Sequence, residues 1–198
     1  MLSTLSGQAT YQEDIRKSRF LAVAAPVTSA DEALAFFSHH AVPEATHNCW
    51  AFRIGQVYRF NDDGEPSGTA GRPILQAIEG QACDRVAVLV IRWFGGIKLG
   101  TGGLVRAYGG VAAQCLRLAA KLPIVDEVRV VCRSSFSDMA LVQSRMPLHD
   151  VRIETETFTA DGVEWVVRLP KHALAAWEET YTNLTRGQGV FTLLNTSS

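Results

Sequence analysis

Hydrophobic positions along the chain switch repeatedly between a period of two and a period near 3.6, and each switch marks an element. "SRFLAVAAPV" (18–27) reads as a strand of mixed apolar and small residues. "SADEALAFFSHHA" (29–41) reads as a helix: Ser29 can cap it, Asp31 and Glu32 suit its positive end, and Leu34, Phe37 and Ala41 fall at helical spacing. "HNCWAFRI" (47–54) and "QVYRF" (56–60) predict two strands joined near Gly55. A polar stretch, "NDDGEPSGTAGRP" (61–73), has almost nothing to place in a core. "RPILQAIEGQA" (72–82) predicts a short helix with Pro73 in its first turn and an end near Gly80. "DRVAVLVIRWF" (84–94) is the most apolar strand and is expected to be central. "GGIKLGTGGLVRAYGGVAAQCLRLAAKLP" (95–123) predicts a glycine-rich loop, then a helix from about Leu104 to Pro123.

Past Pro123 the pattern becomes strand (125–136), helix (137–147), strand (151–160), strand (163–170), helix (171–187) and strand (189–195). Asp161–Gly162 is the hairpin signal between the middle strands, and Gly187 closes the second helix. Strand-helix-strand-strand-helix-strand is the ferredoxin-like pattern. The expected class is therefore α+β in two domains, 1–124 and 125–198, with the boundary near 122–127.

The chain has 198 residues, 47% of them hydrophobic and 20% charged, enough to bury a proper core. No apolar run approaches the ~20 residues of a membrane helix. "MLSTLSGQATYQEDIRKSRF" has no basic start followed by an apolar block, so a cytoplasmic protein without membrane partners is expected. Cys49, Cys83, Cys115 and Cys132 are scattered, with no C-x-x-C pair, and read as small buried apolar residues. Net charge is −1, but unevenly distributed. Residues 50–121 carry nine bases against five acids, and residues 122–198 carry seven against ten. An anion-facing surface therefore belongs to the first part.

Two stretches carry candidate chemistry. After Phe94 come Gly95, Gly96, Gly100, Gly102 and Gly103, with Thr101 among them and Lys98 and Arg106 nearby. Glycines admit close backbone approach, and a helix start offers unpaired N–H groups and partial positive charge, which suits phosphate or carboxylate. This is not a Walker A loop, since no Lys follows Gly100. Nor is it a dinucleotide fingerprint, since Val105 stands where the third glycine belongs. In the polar stretch, Asp62, Asp63 and Glu65 could hold a hard cation, but they lack EF-hand spacing. The reading preferred here pairs them with Arg72, Arg92 or Arg106, leaving Ser67, Gly68 and Thr69 as one wall of an anion-facing groove whose other wall contains Lys98. His47 and Cys49 share a strand face but lack an orienting group and an oxyanion site, so thiol catalysis is not expected. His39, His40, His149 and His172 read as surface residues, and Trp165 and Trp177 as core of the second domain. No cofactor and no resident metal ion are expected.

"KSRFLA", "ATHNCWAF", "NDDGEPSGTAGRPIL" and "IRWFGGIKLGTGGLVRAYGG" together resemble the IMPACT/YigZ family over the first ~120 residues, with Trp93 where the family usually has Tyr. The resemblance implies an N-terminal domain like the second domain of ribosomal protein S-five and a C-terminal domain similar to the last domain of elongation factor G. It singles out His47, Asn48, Asp62, Asp63, Gly64, Glu65, Pro66, Ser67, Gly68, Thr69, Gly71, Arg72, Arg92, Phe94, Gly95, Gly96, Lys98, Leu99, Gly100, Gly102, Gly103, Arg106 and Tyr108. It further implies a link to translation; the charge split and the loop before Leu104 add the expectation of a regulatory protein that binds RNA or a ribosomal or translation-factor surface through the glycine-rich basic face. The expected protein is not an enzyme. Two alternatives stay open: an enzyme acting on a phosphorylated or peptide substrate, and a protein-interaction module in stress control. Eukaryotic family members carry an additional N-terminal RWD domain that has no counterpart here, so their partner is not carried over.

Overall fold

The computed structural model describes residues 1–194, which form two compact units, 1–124 and 125–194. The N-terminal unit contains strands β1 (Ser3–Leu5), β2 (Ala9–Ile15) and β3 (Ser18–Pro26), helix α1 (Ala30–His40), strands β4 (His47–Ile54) and β5 (Val57–Asn61), helix α2 (Gly71–Gly80), strand β6 (Val86–Trp93), helix α3 (Thr101–Leu118) and strand β7 (Lys121–Pro123). Five of its strands make one wholly antiparallel sheet in the order β2-β3-β6-β4-β5. The apolar strand β6 is central, as its composition predicts. Its even positions Val86, Val88 and Val90 pack under α2 and α3, and Ala87, Leu89 and Ile91 pack over α1. Both faces are covered, which is why this strand reads as a continuous apolar run rather than an alternation.

Local chemistry accounts for most boundaries. Ser29 caps α1, its hydroxyl accepting from the Glu32 N–H at 3.2 Å. Gly55, at φ 60°, turns β4 into β5. Three expectations need correction. α3 begins at Thr101, so Gly102 and Gly103 form its first turn instead of a loop. It stops at Leu118, and residues 121–123 leave as β7 to pair with β1, a partner more than a hundred residues away that no local pattern reveals. β2 precedes the first expected strand. Its two-residue turn to β3 uses Arg16 (φ 47°) and Lys17 (φ 66°) where Asn-Gly would have advertised a hairpin.

The C-terminal unit comprises β8 (Glu127–Ser135), α4 (Phe136–Arg145), β9 (Arg152–Phe158), β10 (Gly162–Pro170), α5 (Leu174–Leu184) and β11 (Val190–Leu194). Its antiparallel sheet runs β11-β8-β10-β9. Trp165, Trp177 and Tyr181 anchor its core with Val130, Cys132, Val142 and Val167. Gly162 serves the β9–β10 hairpin by packing rather than by positive φ: a Cβ there would lie 2.0 Å from the Ser134 carbonyl oxygen. Asn195, expected to end β11, lies outside the described residues.

Candidate functional site

The register of the first sheet sets three side chains abreast at one end. Phe20 on β3 pairs with Arg92 on β6, which pairs with His47 on β4. All three sit on the face that α2 and α3 cover, so the guanidinium of Arg92 enters a dry layer. Glu65, from the loop between β5 and α2, meets it there: Arg92 Nη1 donates to Glu65 Oε1 at 2.6 Å. Side-chain exposure is 6% for Arg92 and 4% for Glu65, so this is a buried ion pair, not a surface one. Tyr108, one helical step below Leu104 on α3, donates its hydroxyl to the same Oε1 at 2.8 Å, and its ring packs edge-on to Phe20. Arg92 Nη2 donates to Ser18 Oγ at 3.3 Å, while Nε is buried with no partner. His47 brings Nε2 to 3.6 Å from Glu65 Oε1. Its Nδ1 lies 2.7 Å from the Asp63 carbonyl oxygen, which can only accept, so Nδ1 carries a proton.

The loop holding Glu65 is tied down by its two aspartates, and here the expected arginine pairing is corrected. Asp62 accepts from the N–H groups of Gly68 (2.9 Å), Ala70 (3.1 Å) and Gly71 (2.8 Å). It thereby supplies the carboxylate cap that Ala70 cannot give α2. Asp63 accepts from the Asn48 N–H at 2.6 Å. Only Glu65 binds an arginine. A sharp turn makes this possible, with Asp63 at φ 41° and Gly64 at φ 84°. Gly71 is needed for close approach, since a Cβ there would fall 2.7 Å from the Asn61 backbone.

Above the ion pair opens a cavity of about 430 Å³ lined by Thr46, His47, Glu65, Pro66, Arg92, Phe94, Lys98, Leu99, Gly100, Thr101 and Leu104. The polar loop and the glycine-rich segment do meet, but through Glu65 and Pro66, not through the 67–69 wall expected. Ser67 is exposed outside the cavity, Gly68 (φ 75°) serves Asp62, and the buried Thr69 donates its hydroxyl to the Pro66 carbonyl at 2.6 Å. Tyr108, expected on the anion-facing surface, is fully buried because its ring fills the α3–sheet layer. Arg72 is exposed on α2 and does not line the cavity. Lys98, Gly100 and Thr101 stand at the α3 terminus, where Gly100 (φ 74°) offers no side-chain cap. Gly102 and Gly103 follow in the first turn, and Arg106 flanks a neighbouring depression with Arg16.

Three residues not singled out by the sequence, Arg16, Lys17 and Thr46, lie at the candidate site, together with Phe94. Arg16 and Lys17 sit beside the glycine-rich segment, locked there by Gly95, where a Cβ would lie 1.8 Å from the Lys17 carbonyl oxygen. Their charges lie ahead of the basic stretch 50–121 in the sequence. Thr46 holds the Phe94 N–H at 2.9 Å, and Phe94 lies over the Arg92 guanidinium at 5.4 Å. Among the described residues Arg16, Lys17, Lys98 and Arg106 have no carboxylate partner, whereas Arg19 is shared with Asp14 at 3.6 Å.

Thiol chemistry finds no support. Burial pushes the Cys49 thiol up to about 12, and Sγ donates to the Asp62 carbonyl at 3.0 Å. Burial, the neighbouring Cys49 and the bond to Glu65 push the Tyr108 hydroxyl well above the usual phenol range. Among the described residues no group of three His, Cys, Asp or Glu is placed to hold a metal ion, and no helix is long and apolar enough to cross a membrane.

Comparison with known proteins places this geometry in context. Residues 16–116, which contain the whole cavity, match the family model of the Impact N-terminal domain. An IMPACT family member of Thermus thermophilus is 54% identical over 156 residues, covering 79% of this chain and 86% of its own length. One from Haemophilus influenzae is 33% identical over 191 residues, covering 93% and 92%. A crystal structure of a hypothetical protein superposes over 100% of both chains with a TM-score of 0.67 at 30% identity.

Proposed function

Because the chain belongs to the IMPACT family, we propose that it is a regulatory protein linked to translation, binding RNA through the glycine-rich basic face of its N-terminal unit. The observation that carries this reading is the cluster of Arg16, Lys17, Lys98 and Arg106 around the start of α3, four cations without carboxylate partners among the described residues. Arg16 and Lys17 occupy left-handed backbone that disfavours both residue types. The two-residue β2–β3 turn requires such backbone at both positions, at a cost of about 1–3 kcal/mol each. A ribosomal surface presents the same phosphates through its RNA, whereas a translation-factor surface would have to offer carboxylates to these cations. The family reading also supports an N-terminal fold like the second domain of ribosomal protein S-five. The strand order β11-β8-β10-β9 supports a ferredoxin-like C-terminal domain similar to the last domain of elongation factor G, with the division at 124/125.

Fluorescence anisotropy with a labelled single-stranded RNA tests this. Binding should fall steeply as salt rises, because each phosphate contact releases counterions. Lys98→Glu with Arg106→Glu should weaken binding at least about tenfold more than Arg145→Glu with Lys171→Glu. No association with RNA or ribosomes at low salt would end the proposal. The His47–Glu65 contact inside a cavity favours one second reading, an enzyme acting on a phosphorylated substrate. Absence of turnover across phosphomonoesters and nucleotides would retire it.

A further inference from the structure

The cavity itself, as distinct from the cationic rim, has the chemistry to take one particular piece of a nucleic acid. We propose that it binds a single nucleotide carrying an amino-bearing base, with the base against Glu65 and Phe94 and the phosphate on Lys98 and the α3 N-terminus. This rests on the RNA-binding reading and says where on that face one nucleotide is held.

Three features converge. The first is the unused half of Glu65. Arg92 and Tyr108 both donate to Oε1, and His47 also lies nearest that oxygen. Oε2 takes no hydrogen bond from the described residues, although the side chain is 96% buried by its 4% exposure and lines the cavity. An ionised carboxylate accepts and cannot donate, so this oxygen calls for a ligand N–H or O–H. The amino groups of guanine, adenine and cytosine supply one. Uracil offers only an imide N–H flanked by two carbonyl oxygens that a carboxylate repels. The second feature is a flat wall. Phe94 rests on the Arg92 guanidinium, yet the residue stays 45% exposed, and Pro66, Leu99 and Leu104 complete an apolar lining. An unstacked base seeks such a surface. The third feature is the phosphate end. The 18-residue helix α3 begins at the cavity with Gly100 and Thr101, has no side-chain cap, and has Lys98 beside it. The volume, about 430 Å³, lies in the usual range for small-ligand pockets, about 300–1,000 Å³. A peptide terminus would match Lys98 and the helix start but would leave Phe94 without a planar partner.

Isothermal titration of the full chain with GMP, UMP and ribose 5-phosphate tests the assignment, followed by competition of GMP against the labelled RNA. GMP should bind about tenfold or more tightly than UMP, the worth of one hydrogen bond to a charged group. Phe94→Ala and Lys98→Ala, both at exposed positions, should each weaken GMP about tenfold, and Glu65→Gln should abolish the preference over UMP. GMP should also displace a guanine-containing RNA. Equal affinity for GMP, UMP and ribose 5-phosphate would overturn the proposal, leaving an anion site only, as would absence of GMP binding at millimolar concentration. RNA that binds through Lys98 and Arg106 but is not displaced by GMP would overturn the pocket and keep the RNA-binding face. GMP bound by a protein that ignores RNA would keep the pocket for free nucleotides and end the RNA reading.

Discussion

Removing Glu65 should expose how much of the N-terminal unit hangs on one buried pair. Glu65→Leu takes away the only carboxylate that pairs with Arg92 among the described residues and leaves a guanidinium, 94% buried by its 6% side-chain exposure, with Ser18 Oγ as its remaining hydrogen-bond partner. Breaking such a pair costs about 3–5 kcal/mol, because a charge is left uncompensated in a poorly solvated layer. Arg92→Met should cost a similar amount by stranding the carboxylate. If the two were independent, the double variant would lose about 6–10 kcal/mol, as much as the whole stability of many domains. With both charges gone, however, only the hydroxyls of Tyr108 and Ser18 lose partners, at about 1–3 kcal/mol each. The double variant should therefore be no worse than either single one, with a coupling energy of at least about 2 kcal/mol. Native-state hydrogen exchange of the β6 amides reports this directly, since the strand lies at the centre of the unit and its exchange follows global opening. Additive losses, or a Glu65→Leu cost under about 1 kcal/mol, would refute the account of a desolvated pair.

Other consequences can be checked separately. Asp62→Ala removes three charge-assisted bonds to loop amides and should cost about 2–4 kcal/mol in urea unfolding while making residues 62–70 the first site of proteolytic nicking. Gly95→Ala must push the Arg16–Lys17 turn away from the glycine-rich segment, so RNA affinity should fall even though no charge is altered. Cys49 and Cys115, raised by burial to about 12 and about 11, stay protonated in the folded chain while the unfolded thiols ionise above about pH 9. The folded state then holds more protons, so stability is lost as pH rises from about 9 to 11, by up to about 1.4 kcal/mol per pH unit for each thiol. Replacing both with Ala should reduce that alkaline slope in urea-midpoint measurements, leaving the part due to the buried Cys132. For the same reason native Cys49 should resist alkylation at pH 8.

Elements whose signals are local are legible in the sequence. Ser29 announces the start of α1, the apolar run 86–91 announces the central strand, and the glycines and Lys98 announce an anion-friendly helix start. What these signals omit is pairing at a distance. β7 exists because β1 lies beside it, and no residue between 119 and 123 says so. β2 hides behind an Arg-Lys turn with the wrong chemistry for a hairpin, which also hides two cations of the basic face.

The amino-acid sequence by itself determined the order of most elements, the two-part organisation and the two segments that form the site. Their chemistry is short-range, in the form of caps, turns, periodicity and charge. Tertiary structure alone decided which atoms of those segments matter. Asp62, Asp63 and Glu65 are nearly interchangeable as letters, yet two hold backbone amides and the third descends to Arg92. Tyr108 and Thr69 look like ligand contacts but are turned inward, and Phe94 looks like core but stays open to the cavity. The register that sets Phe20, Arg92 and His47 abreast places one charged pair beneath the sheet's covering helices, and burial then sorts otherwise similar groups into struts and free binding atoms.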